Sequence, residues 1–157
     1  MVAGMEIALT PIGSVRGGRP EPTDDRWDAE TCTIELDADR FTPDALAGLD
    51  AFSHAEVVYH FHRVDAADVV DGARRPRGRA DWPAVGIFAQ RGRVRPNRLG
   101  VSVCRILGVD GLRVRVAGLD AIDGTPVLDI KPYLSGFAPR GAVTEPTWAT
   151  DIMADYW

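Results

Sequence analysis

Alternation is the feature that most constrains this chain. In "LRVRV", Leu112, Val114 and Val116 fall on one side of an extended backbone and Arg113 and Arg115 on the other, as in a strand with one face in a core and one in water. Stretches rich in β-branched residues recur as "MEIALTPIGSV", "TCTIELD", "AEVVYHFHRV", "AVGIFAQ", "LGVSVCRIL", "LRVRVAGLDAI" and "PVLDIKP", separated by Gly, Pro and Asp turn signals. This spacing predicts a mostly β fold, a small closed antiparallel β-barrel with one or two short helices. One helix is predicted at "FTPDALAGLDAF", with Thr42 as N-cap, Pro43 at the first helical position and Asp44 in the first turn, weakened by Gly48. The second is predicted in "EPTWATDIMADYW".

A chain of 157 residues suits one domain spanning 1–157, with 141–157 a C-terminal tail or short helix. No apolar run approaches the ~20 residues of a membrane span. "MVAGMEIALTPIG" lacks the basic and apolar blocks of a leader, so a cytoplasmic protein is expected. Cys32 and Cys104 lie in predicted strands without metal-ligand spacing and read as buried free thiols. A net charge of −5 argues against a surface that coats nucleic acid as a whole. Yet Arg74, Arg75, Arg77, Arg79, Arg91, Arg93, Arg95 and Arg98 crowd one region, and the loop "DGARRPRGRADWP" is expected at the surface near an anion.

No G-x-G-x-x-G, P-loop or G-x-S-x-G is present, so the usual nucleotide and serine-hydrolase loops are missing. His60 and His62 would share a face of "YHFHRV", but no further Cys or His stands near enough to complete a metal site, and none is expected. His54, at a helix-to-strand junction, reads as structural. "GIFAQRGRVRPNRLG" places Arg91, Arg93 and Arg95 around a rigid turn, where guanidinium groups can hold a carboxylate or phosphate or simply remain solvated. In "GLDAIDGTPVLDIKPY", "DGTP" supplies a tight bend. Strict alternation after it puts Val127, Asp129 and Lys131 on one face, Asp129 and Lys131 forming either a structural ion pair or part of a polar site.

Four blocks, "PIGSVR", "GLDAFSHAEVVYHFHRV", "GIFAQRGRVRPNRLGVSVC" and "GLDAIDGTPVLDIKPY", together resemble the TsaA/TrmO-like family of S-adenosylmethionine-dependent methyltransferases, in a short single-domain form. The resemblance implies a small barrel that binds the donor without a glycine-rich loop, as a homodimer with the donor site near the subunit interface. It implies donor contacts from His62, Arg63, Arg91, Val101 and the run Leu119, Asp120, Ala121, Ile122 and Asp123, with Phe88 or Tyr133 facing the sulfonium. The acceptor side takes Arg93, Arg95, Asn97, Lys131 and Tyr133, and the proton acceptor is Asp123, Asp129 or His62.

The family activity implied is methylation of N6-threonylcarbamoyl-adenosine beside the tRNA anticodon, with S-adenosylhomocysteine as product. Two departures bear on it. Longer members carry a second C-terminal domain, and their Pro-Arg-Gln-Pro-Gly-Leu stretch is here "PEPTDDRWDAE", whose Asp24 and Asp25 oppose a polyanion. The readings carried forward are therefore tRNA methylation, the same donor chemistry on a small metabolite or amino-acid-like acceptor, and a non-catalytic donor-binding module.

Overall fold

The inward-facing residues of the alternating stretches decide how the strands pair. The computed structural model describes residues 4–157; residues 1–3, at the head of the stretch read for a leader, lie outside the described residues. The strands are β1 (Gly13–Arg16), β2 (Thr31–Leu36), β3 (His54–His60), β4 (Ala73–Arg74), β5 (Val85–Gly86), β6 (Leu99–Asp110), β7 (Arg113–Ala117) and β8 (Pro126–Pro132). Six of them close into an antiparallel barrel in the order β1-β2-β7-β6-β3-β8, while β4 and β5 make a separate two-stranded hairpin. Helix α1 (Thr147–Ile152) lies in the C-terminal segment. The mostly β closed barrel is thus the architecture expected.

Val15, Ile34, Val57, Val114, Val116 and Val127 point inward and are fully buried. Burying one such side chain contributes about 1.5–3 kcal/mol. A surface pair such as Arg113–Glu35 at 3.4 Å contributes ~0–1 kcal/mol. Burial therefore sets the register, because a one-residue slip would turn these inward side chains outward.

Two bulges bend the wall. Leu107 is the extra residue of β6, where pairing jumps from Ile106↔Val116 to Gly108↔Arg115. Leu128 is the extra residue of β8, between Val58↔Asp129 and Tyr59↔Val127. An added residue sharpens bend and twist, which helps so small a sheet to close. The β8 bulge also corrects the alternation expected there: Val127 and Ile130 pack toward the core, whereas Asp129 and Lys131 face outward.

Three further expectations are corrected. Only the last three residues of "MEIALTPIGSV", Gly13, Ser14 and Val15, are strand, in β1; the segment before Ile12 passes beyond the end of β2, leaving Met5, Ile7 and Leu9 exposed. "AVGIFAQ" contributes two strand residues and then a 3-10 turn, Ile87–Ala89. "FTPDALAGLDAF" forms two 3-10 turns, Pro43–Leu46 and Leu49–Ala51, because Gly48 between them takes a left-handed φ of 85°, and Thr42 makes no side-chain cap.

Cys32 and Cys104 are buried and free. Burial, aided by nearby carboxylates, pushes the Cys32 thiol up to about 11, and burial pushes Cys104 up to about 12. Both therefore act as small core residues rather than nucleophiles. Among the described residues no helix is long and apolar enough to cross a membrane.

Candidate active site

The barrel order brings three connections to one mouth: 17–30 between β1 and β2, 61–98 between β3 and β6, and 118–125 between β7 and β8. Most of the residues singled out in the sequence lie on them. The turn after β3 is closed by the Val64 N–H donating to the Phe61 carbonyl at 3.2 Å, and the Phe61 N–H donates to the Arg98 carbonyl at 2.8 Å. That turn carries His62 and Arg63. The His62 Nε2 lies 3.9 Å from where a Cβ on Gly124 would stand, and Gly124 takes a left-handed φ of 80°. His62 is thereby set against the "DGTP" bend. On the same bend the Asp123 carboxylate accepts from the Gly17 N–H at 2.8 Å, and the Asp123 N–H donates to the Arg19 carbonyl at 2.8 Å.

Asp120 is the most elaborately held group of the site. Its Oδ1 accepts from the Tyr59 hydroxyl at 2.9 Å and from the Ser102 hydroxyl. Its Oδ2 accepts from the Tyr156 hydroxyl. Burial, with Asp120 next in weight, holds both phenols well above the usual tyrosine range, so each is a protonated donor at neutral pH. By contrast Leu119, Ala121 and Ile122 bury their side chains, so backbone is what they offer a ligand.

The arginines divide into used and unused. Arg91 donates to the Val101 carbonyl at 2.6 Å through one nitrogen. Arg95 donates to the Gln90 carbonyl at 2.7 Å, which fixes the turn containing Asn97 with its left-handed φ of 63°. Arg93 is exposed and has no side-chain partner among the described residues. The Arg74–Arg79 cluster, expected to face an anion, is largely committed within the protein. Arg75 caps the Trp82 and Ala80 carbonyls, Arg79 pairs with Asp81 and lies 4.3 Å over the Trp82 ring, and Arg77 pairs with Asp25 at 2.8 Å. Arg63 pairs with Glu21 at 3.0 Å.

Phe88 is 77% exposed while its neighbour Ile87 is buried, so one residue anchors the turn and the next is displayed. Three candidates stand apart from the mouth. Asp129 and Lys131 pair with each other at 2.8 Å on the outer wall, across from Glu56 on β3. Tyr133 lies past the far end of β8, its N–H donating to the His54 carbonyl at 2.9 Å. Among the described residues no group of three His, Cys, Asp or Glu side chains is placed to hold a metal ion.

Sequence reasoning missed Tyr59, Ser102, Tyr156 and Glu21. A signal existed for the first two: Tyr59 alternates with Val57, and Ser102 with Cys104, so each is a polar group on an inward face. Nothing in the sequence pattern ties Tyr156 to Asp120.

His60 and His62 titrate below the ordinary histidine range. Burial is the first cause for both, followed for His60 by Arg98 and His62, and for His62 by Arg63. Unfolded histidines bind a proton near pH 6.5, and in the fold they bind it only at lower pH. Between those points the unfolded chain holds more protons, so the fold loses stability as pH falls. Urea unfolding is expected to show declining stability below about pH 6.5, with a shallower decline in His62→Asn.

Residues 18–138 match the family described as the tRNA-methyltransferase O N-terminal domain. The chain belongs to that family. A probable S-adenosyl-L-methionine-binding protein of Methanothermobacter thermautotrophicus is 35% identical over 139 residues, covering 84% of this chain and 93% of the relative. The tRNA (adenine(37)-N6)-methyltransferase of Escherichia coli is 40% identical over 97 residues, covering 58% of this chain and 40% of that enzyme. A crystal structure of TrmO aligns with a TM-score of 0.74 at 34% identity, over 89% of this chain and 64% of that one. The chain thus spans less than two thirds of both the bacterial enzyme and the solved TrmO chain.

Proposed function

We propose that this protein transfers a methyl group from S-adenosylmethionine to the N6 nitrogen of threonylcarbamoyl-adenosine beside the anticodon of tRNA. The protein is an S-adenosylmethionine-dependent methyltransferase, and tRNA is the acceptor this reading assigns. The observation that carries it is the meeting of His62, Asp120 and Asp123 at one mouth of a TrmO-family barrel.

The donor is a zwitterion with a ribose and a purine, and the side chains at the mouth suit those groups. The unused nitrogens of Arg91 match a carboxylate. Asp120 and Asp123 accept from hydroxyl or ammonium groups, and exposed Phe88 offers an aromatic face to a cation. When bound, the donor supplies an electrophilic methyl on a positively charged sulfur. The protein's part is to hold the acceptor nitrogen in line and to receive its proton. His62, neutral at pH 7 and beside the Asp123 bend, is the group this reading assigns to that proton. Arg93 and Phe88 would meet a phosphate and an unstacked base of the anticodon loop.

We further infer that the described residues form one domain and that the protein is cytoplasmic and works as a homodimer. The exposed apolar row Val101, Val103 and Leu107 along β6 supports a second copy.

One observation favours a second reading, the same donor chemistry on a small acceptor. Glu21 and Asp25 neutralise Arg63 and Arg77, guanidinium groups that an RNA phosphate would otherwise claim. The test is transfer of labelled methyl to bulk tRNA and to low-molecular-weight metabolites of the same cells. Label in tRNA, lost when threonylcarbamoyl-adenosine is absent and falling steeply with salt, is the expected result. Label only in the small pool replaces the acceptor. No label in either, with S-adenosylhomocysteine still bound, leaves a binding module.

A further inference from the structure

We propose that Tyr156, which lies beyond the family-matched residues 18–138, is a positioning residue of the donor site and acts by orienting the Asp120 carboxylate. The inference rests on the reading of this mouth as the donor site.

Within 119–122, three side chains turn into the core. The Asp120 carboxylate is therefore the one polar side chain that segment can present. Its Oδ1 is fixed by two hydroxyls of the barrel wall, Tyr59 and Ser102. The carboxylate is planar, so its one terminal torsion, broad in a free aspartate, sets both oxygens together. Tyr156, which approaches from a different part of the chain, holds that torsion through Oδ2 while Tyr59 and Ser102 hold it through Oδ1.

Tyr156 is itself held from both sides. The Arg26 N–H donates to the Asp155 carbonyl at 2.9 Å, and the Trp27 N–H donates to the Tyr156 carbonyl at 2.8 Å. One turn earlier the Arg77 guanidinium donates to the Ile152 carbonyl at 3.4 Å. Trp27 is buried, so this dock is part of the packed structure. Arg91 and Arg77 lie close enough to act electrostatically on the Tyr156 hydroxyl. The phenol thus stands near Asp120 and Arg91, two groups that the donor reading uses. A hydroxyl aimed at a carboxylate, with its backbone clamped on a second loop, serves to keep that carboxylate pointed one way.

The experiment is Tyr156→Phe in the full chain, titrated with S-adenosylhomocysteine by calorimetry alongside thermal unfolding. A hydrogen bond to a charged group is worth roughly tenfold or more in an equilibrium constant. The expected result is a Kd raised about tenfold and a donor KM raised with it, while the acceptor KM is unchanged. In an Asp120→Asn background the same substitution should add little, because the two act as one unit. A purely structural Tyr156 would lower Tm and leave Kd where it was, and that outcome overturns the proposal. Tighter binding also overturns it, since the phenol would then be competing for the carboxylate. Failure of the unmutated protein to bind S-adenosylhomocysteine is a different result, which removes the donor reading itself.

Discussion

Asp120→Ala is expected to destabilise the fold by about 2–4 kcal/mol, a fall in Tm of roughly 5–15 °C for a chain of this size. The reason lies in what the carboxylate satisfies. Three hydroxyls converge on it, from Tyr59, Ser102 and Tyr156, and Tyr59 and Ser102 are buried. With the carboxylate gone, those two are left with each other at 3.2 Å and with the Asp120 carbonyl at 3.2 Å from the phenol. Tyr156 can turn to water, so its share of the loss is smaller. Asp123→Ala is the comparison. Its side chain is exposed and accepts one backbone N–H, from Gly17, so it should cost about 1 kcal/mol. Equal unfolding free energies for the two variants would show that the hydroxyl cluster is not what holds this mouth together. Loss of S-adenosylhomocysteine binding in both would still fit the donor reading, because binding and stability separate at Asp123.

The sequence was most legible where burial alone decides the outcome. "TCTIEL" and "RVRV" alternate strictly, with Cys32, Ile34, Leu36, Val114 and Val116 inward, and each became a barrel strand; "LGVSVC" became one too, but with Ser102 and Cys104 inward and Val101 and Val103 exposed. "AVGIFAQ" is as apolar, but the six strands close on themselves through β1 and β8, and a closed barrel has no free edge for another. The bulge at Leu128 was illegible for a related reason: curvature is demanded by closure, which no local pattern encodes. It moved Asp129 and Lys131 to the outer wall. The blocks that carry the family resemblance contain His62, Asp120 and Asp123, which the fold brings to one mouth. The Tyr156 hydroxyl reaches Asp120 across 36 residues of separation, a tertiary contact without a periodic trace.

The arginine cluster shows why charge runs are weak evidence of a ligand. Arginine has five donors in a rigid fork, and backbone carbonyls and nearby carboxylates in irregular loops compete for them. Here Arg75 braces its own loop, while Arg77 fastens the acidic 19–27 loop to the C-terminal segment. That arrangement gives the acidic stretch a structural purpose. It holds Trp27 and its neighbours where their backbone N–H groups can dock residues 155 and 156. The acidic stretch and the residues that hold Tyr156 are therefore one assembly.

Gly100→Ala is the second substitution expected to have a large effect. Gly100 sits on β6 directly across from Tyr59 on β3. A Cβ there would stand 2.4 and 2.6 Å from two atoms of the Tyr59 ring and 2.9 Å from the Phe61 ring. Neither ring can move freely. Tyr59 is buried with its hydroxyl committed to Asp120, and Phe61 meets it edge to face at 5.5 Å. Overpacking of this kind costs about 1–3 kcal/mol. Tilting the Tyr59 hydroxyl off its partners adds ~1 kcal/mol. Urea denaturation should therefore show a loss of roughly 2–4 kcal/mol from these two effects. Gly108→Ala on the same strand has nothing within 4 Å and no left-handed φ, so it should fall within ~1 kcal/mol of the parent protein. Tyr59→Leu removes the ring that the methyl would strike, and in that background Gly100→Ala should lose most of its cost. If the cost persists there, the constraint at Gly100 lies in the Phe61 ring or the backbone, and the close approach of the Tyr59 ring is incidental to it.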